Sequence, residues 1–206
     1  MKTPEDLLEY IIAHPQDVSL VAYEIGNSNN SKKSIFYKAD KKCPFSMKLH
    51  LILNSRKDAK TQRPKVNHHF IKCIVTENWY QALNCGGTAK GYALIMKKIY
   101  SSLLISQGAD KIMRDYLEWQ MEFAGNQQEI DTFGFKNGSL PGIITEACYF
   151  KPKQAKNARV FALFFENLPA GVWFQMLQNY VQQDFEYKLL GDESFFELVR
   201  QRLQQS

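Results

Sequence analysis

Between two apolar runs in DTFGFKNGSLPGIITEACYFKPK, residues 131–153, stand Lys136, Asn137, Gly138 and Ser139. Together they offer a cation, an amide, an open piece of backbone and a hydroxyl, a set able to line an active site. The same four residues have a second reading. Asn-Gly between alternating apolar runs is a strong type I′ hairpin signal, and a turn tip binds nothing specific. The other concentration of reactive side chains is Ser46, Met47, Lys48 and His50. A serine nucleophile and a lysine base cooperate on a helix when they stand at i and i+3, where they share a face. Ser46 and Lys48 are only two apart, about 200° around a helix. No Ser-x-x-Lys occurs anywhere in the chain. Ser46 therefore also reads as a helix cap.

Other chemistries find little support. Cys43, Cys73, Cys85 and Cys148 show no Cys-x-x-Cys spacing and no matching His pair, so no metal site is expected. His68 and His69 are adjacent and diverge, without a third ligand at compatible spacing. Glu77 sits in no recognisable motif and reads as a surface residue. No cofactor is implied. The four cysteines read as reduced thiols. The N-terminal MKTPEDLLEYIIAHPQDV lacks the pattern of a signal peptide, so a cytoplasmic protein is expected. No apolar run is long enough to cross a bilayer.

Charge is unevenly placed. From Ser31 to Lys72 there are twelve Lys and Arg against only Asp40 and Asp58, although the whole chain carries a net charge of just +5. A basic segment of this kind fits an acidic partner or a solvated face. No aromatic-interleaved motif accompanies it, so no nucleic-acid partner is expected.

The 206 residues suit a single domain with a sizeable core. Thr3 before Pro4 reads as a cap for a helix over roughly 4–14, with Leu7, Leu8, Ile11 and Ile12 at helical spacing. VSLVAYEIG and IFYKAD read as a strand hairpin joined by the polar NSNNSKKS. CPFSMKLHLILNSRK looks helical, and the pattern weakens from Asp58 to Gly87. TAKGYALIMKKIYSSLLIS and ADKIMRDYLEWQMEF read as helices. IDTFGFK, GIITEACYFK and ARVFALFFENL read as strands, and helices close the chain. Short connections imply antiparallel pairing. The expected architecture is α+β. One five-stranded antiparallel sheet draws on both ends of the chain, with terminal helices on one face and middle helices on the other.

This order, with Val18 to Gly26, IFYKADKKCP, GYALIMKKIYSSLLIS, FGFKNGSLPGIITEACYFKPK and ALFFENLPAGVW, resembles the β-lactamase and penicillin-binding-protein superfamily. Its β-lactamase-like serine hydrolases are the best match. The resemblance implies one domain over 1–206. Residues 1–57 and 126–206 would supply the sheet and terminal helices, and 58–125 a reduced helical part. It also implies that Lys136–Ser139 is the Lys-Thr-Gly type strand bordering the catalytic cleft. Lys136 would then supply charge for a substrate carboxylate, Gly138 would let substrate approach the backbone, and Ser139 would bond the same carboxylate. Counting without gaps from Cys43-Pro44 puts Met47 at the family's nucleophile position and His50 at its base position. A thioether is no acyl nucleophile, and the Ser-x-Asn element of the family is not recognisable.

The resemblance therefore implies a degenerate, truncated serine hydrolase fold without acyl-enzyme chemistry, retaining a wall for a carboxylate-bearing small molecule or peptide. Two alternatives stand beside it. One is weak hydrolysis of a β-lactam or D-alanyl peptide through Ser46 in a shifted register. The other is a non-catalytic interaction protein using the basic segment.

Overall fold

A computed structural model describes residues 1–26, 31–42, 87–140 and 142–206. The expectations placed on Ser46, Met47, Lys48, His50, His68, His69, Glu77, Cys43, Cys73 and Cys85, and the helix expected after Pro44, lie outside the described residues. Met1–Lys41 and Thr88–Ser206 form one compact unit and Lys42–Gly87 another. The first unit carries the five strands and the helices that cover them.

The N-terminal helix α1 (Pro4–Ala13) begins where local chemistry requires. Thr3 Oγ1 accepts from Asp6 N at 3.1 Å and Asp6 Oδ2 accepts from Thr3 N at 3.2 Å, a reciprocal capping box with Pro at the first helical position. The first hairpin is β1 (Val18–Glu24) and β2 (Ser34–Tyr37). Three helices follow in the described chain: α2 (Ala89–Tyr100), α3 (Gln107–Leu117) and the short α4 (Ala124–Glu129). Thr88 and Ser106 cap α2 and α3 by accepting from backbone amides in the first turn. The strands β3 (Ile130–Leu140), β4 (Ile143–Pro152) and β5 (Arg159–Phe165) come next. The chain closes with α5 (Ala170–Asn179), α6 (Val181–Gly191) and α7 (Glu193–Gln205). Tyr180, at φ 53°, is left-handed and separates α5 from α6.

All five strands form one sheet in the order β2-β1-β5-β4-β3, with every neighbouring pair antiparallel. Val18 pairs with Phe165 and Tyr23 with Val160, so the two ends of the chain meet at the centre of the sheet. This is the expected architecture, and the parity of the strands explains its two layers. Val18, Leu20 and Ala22 on β1, Phe161, Leu163 and Phe165 on β5, and Phe133 and Phe135 on β3 share a core with Leu7, Phe185, Phe196 and Val199 of the terminal helices. The alternate residues face the other way, where α2 packs on β5, β4 and β1 and buries Ala93, Met96 and Ile99. Ion pairs Arg202–Glu9 and Lys188–Glu5 tie the terminal helices together, but both are exposed enough to contribute little beside the apolar packing.

The hairpin reading of Asn137-Gly138 is corrected by the register. Lys136 pairs with Ala147, Asn137 with Glu146, Gly138 with Thr145 and Ser139 with Ile144. The strand runs on to Leu140, which pairs with Ile143, so the reversal lies beyond Leu140 and not at Asn137-Gly138. Gly142 in that reversal adopts φ +82° without penalty. Its carbonyl accepts from Leu168 N at 2.9 Å, which ties the turn to the chain leaving β5.

Candidate functional site

Among the described residues β3 lies at the edge of the sheet, so on its outer side every second residue turns its N–H and C=O away from any described strand. Phe133 and Phe135 point into the terminal-helix core. Alternation then places Asn137 and Ser139 on that same face, and Gly134, Lys136 and Gly138 on the opposite one. The four residues singled out in the sequence thus share a strand but not a face. Ser139 Oγ accepts from Trp173 Nε1 of α5 at 3.0 Å, which is a contact on the terminal-helix side.

On the other face, Lys136 is exposed, and its one side-chain hydrogen bond among the described residues runs from Nζ to the carbonyl of Asn137, at 2.7 Å. Gly138 is exposed as well, and its missing side chain has a specific neighbour. A Cβ there would come within 3.0 Å of Thr145 Oγ1 on β4. Thr145 donates to the Gly138 carbonyl across 3.4 Å. A cation, an open backbone and a hydroxyl therefore do occur side by side. The hydroxyl on that face is Thr145's, a residue that sequence reasoning did not single out. Its signal lay in strand pairing, because a residue directly opposite Gly138 must share its face.

The same face carries a buried support that also escaped the sequence reading. Tyr149 pairs with Gly134 and its ring lies over that glycine. A Cβ at Gly134 would stand 2.1 Å from Tyr149 Cζ. Tyr149 Oη donates to Glu118 Oε1 at 2.9 Å, and Arg114 Nε donates to the same oxygen at 2.8 Å. The Tyr100 ring lies 5.6 Å from that of Tyr149, and the Arg114 guanidinium sits 5.9 Å from the Tyr100 ring. Burial, with the Glu118 charge in support, pushes the Tyr149 hydroxyl far above its ordinary value, so it remains a neutral donor. For Arg114, burial works against the guanidinium, but the bond to Glu118, the Glu118 charge and the contact with Tyr149 together outweigh it and its pKa rises. This cluster pins α3 and the turn after it to the strand two residues before Lys136. The mark left in the sequence was Gly134 inside an apolar strand, the usual sign of a close approach.

Among the described residues no group of three His, Cys, Asp or Glu side chains is arranged to hold a metal ion. Cys148 is a free, buried thiol. No described helix is long and apolar enough to cross a membrane.

No protein-family model and no curated protein matches the sequence. Solved structures do. A crystal structure of a β-lactamase from Sphaerobacter thermophilus DSM 20745 superposes over 89% of this chain and 96% of its own, with a TM-score of 0.51 and 13% identity. A structure of PBP-A covers the same shares with a TM-score of 0.47 and 11% identity. A structure of BPu1 β-lactamase covers 80% of this chain and 92% of its own, with a TM-score of 0.44 and 10% identity. At these identities the likeness is one of fold.

Proposed function

We propose that this protein, whose fold is β-lactamase/penicillin-binding-protein-like, binds a carboxylate-bearing small molecule or peptide along the edge of β3 and forms no acyl-enzyme. The observation that carries the binding half is the placement of Lys136. Its ammonium stands exposed on an edge strand, on one face with Gly138 and Thr145, and among the described residues engages only the neighbouring carbonyl. A carboxylate that displaces that bond gains a charge-assisted one worth about 1.5–3 kcal/mol, and a bond from the Thr145 hydroxyl adds about 1 kcal/mol. Ordering the ligand offsets much of that sum, so these two groups alone support binding on the order of millimolar.

The non-acylating half rests on the sequence. The resemblance puts Met47 and His50 where acyl transfer needs a hydroxyl nucleophile and its base. Neither residue supplies those functions. A cytoplasmic setting belongs to the same reading, since four cysteines without pairing motifs suit a reducing compartment. Intact-mass spectrometry after incubation with penicillin tests the absence of acylation. The expected spectrum is that of the unmodified chain. A penicilloyl adduct on Ser46 would overturn the proposal in favour of shifted-register hydrolysis. Binding is tested by carboxylate titration of the parent and of Lys136→Ala.

A further inference from the structure

On β4 the residues facing the terminal helices are Ile144, Glu146, Cys148 and Phe150, and three of these four belong to the apolar core there. Glu146 is the exception. Facing it, α6 carries Gln182 and Glu186, one helical turn apart, among Val181, Phe185 and Leu189. Glu146 and Glu186 are each 1% exposed, Gln182 is 3% exposed and Cys148 fully buried. Both oxygens of each carboxyl, and the Gln182 Oε1, have no hydrogen-bond partner among the described residues. Five acceptor oxygens thus stand enclosed, with only the Gln182 amide close by as a donor to Glu146 and the Cys148 thiol as a donor to Glu186 among the described residues.

Among the described residues no neighbouring cation resolves this deficit. The register partners of Glu146 are Asn137 and Leu163. On α6, Lys188 is paired with Glu5 of α1, Asp184 is exposed, and Tyr187 donates to Gln120 at 2.9 Å. Arg159 of β5 is held by the Leu190 carbonyl and by Glu193 of α7. Two ionised carboxylates enclosed in this way are strongly disfavoured. A proton removes a charge and turns an acceptor into a donor.

We infer that Glu146 and Glu186 form a proton-held latch that clamps α6 onto β4 at low and neutral pH and loosens as the pH rises. Burial first, and then the charge of Glu186, raises the Glu146 carboxyl well above the ordinary range. Burial pushes Glu186 up to about 8. Burial also raises the Cys148 thiol, which stays protonated beside Glu186. Unfolded glutamates ionise near pH 4.3. The native state therefore holds protons that the unfolded chain has lost, and stability falls as pH rises. The latch contribution is complete below about pH 4.3 and fades up to about pH 8. Glu5, Asp6, Glu193 and Glu197 have lowered values and act in the opposite direction, but only at acid pH. The window from pH 6 to 8 lies above those carboxylates, and the difference between the parent and a variant without the two glutamates separates the latch from the chain's four histidines.

The test is urea denaturation of the full chain across that window, in the parent and in a Glu146→Gln, Glu186→Gln double variant. The parent's unfolding constant should rise about tenfold per pH unit for each proton released on unfolding, and the double variant's should stay level. A level parent, or a variant that keeps the parent's slope, overturns the inference. Infrared spectroscopy of the parent gives an answer that needs no variant. A protonated-carboxyl band should be present at pH 6 and weaken as the pH rises through 8, and its absence at pH 6 would overturn the latch. Amide exchange corrected for intrinsic rates should show α6 losing protection over the window more than α2. Equal losses would refute a local clamp.

Discussion

Gly134→Ala places a methyl where the Tyr149 ring already is. The added Cβ would lie 2.1 Å from Cζ, 2.3 Å from Oη and 2.6 Å from Cε1. Those atoms are the far end of a side chain, but not a yielding one. Tyr149 is fully buried, its hydroxyl is bonded to Glu118, and its ring packs against Tyr100. Overpacking of this kind costs about 1–3 kcal/mol. Moving the ring also breaks a hydrogen bond to a charged acceptor, about 1.5–3 kcal/mol. The Glu118 side chain is 21% exposed, so water recovers part of that loss. Replacing a strand glycine returns about 0.5–1 kcal/mol. The net expectation is about 2–4 kcal/mol of destabilisation, a shift of roughly 1–2 M in a urea midpoint. Urea denaturation followed by circular dichroism reads it directly. In a Tyr149→Ala background the ring is gone, and the same glycine substitution should cost almost nothing. An unchanged midpoint for Gly134→Ala, or an equal cost in both backgrounds, would refute the reasoning.

Thr3→Ala removes one half of the capping box and should lower stability by about 1 kcal/mol, seen as a drop in thermal midpoint; no drop would mean that the box contributes nothing to α1. Ser139→Ala deletes the acceptor of Trp173 on an exposed contact, so stability should change by less than about 0.5 kcal/mol. It should also leave carboxylate titrations as they are, and a lost titration would return Ser139 to the ligand-binding face. Thr145→Val keeps the shape of the side chain while removing the hydroxyl on the Lys136 face, and should weaken the carboxylate titration roughly fivefold; an unaltered affinity would remove Thr145 from the site.

Much of this arrangement was legible because local and global signals agree. Thr3-Pro4 before a helical apolar pattern marked the start of α1, and three apolar runs with short connections marked β3 to β5. The Lys136–Ser139 stretch was harder, because Asn-Gly is a good turn and also a tolerable strand. Pairing with β4 decides between them. Once the strand runs to Leu140, the parity of Phe133 and Phe135 carries Ser139 to the terminal-helix side. Glu146 could not be read at all. A single acid in GIITEACYFK suggests an exposed position, but β4 lies between β3 and β5 with both faces covered. The contact between Tyr149 and Glu118 joins residues 31 apart and leaves only Gly134 as its trace. Tyr180 carries no local warning that the chain turns left-handed there.

The central claim is that Lys136, with Gly138 and Thr145 beside it, holds a carboxylate on one face of an edge strand. Its most direct test is a ¹⁵N-resolved titration of the parent and of Lys136→Ala with N-acetyl-D-alanine. In the parent, the amides of Lys136, Gly138 and Thr145 should shift together and saturate with a dissociation constant on the order of millimolar. In Lys136→Ala those shifts should vanish while the rest of the spectrum stays in place. No titration in the parent, or an unchanged one in Lys136→Ala, would contradict the claim.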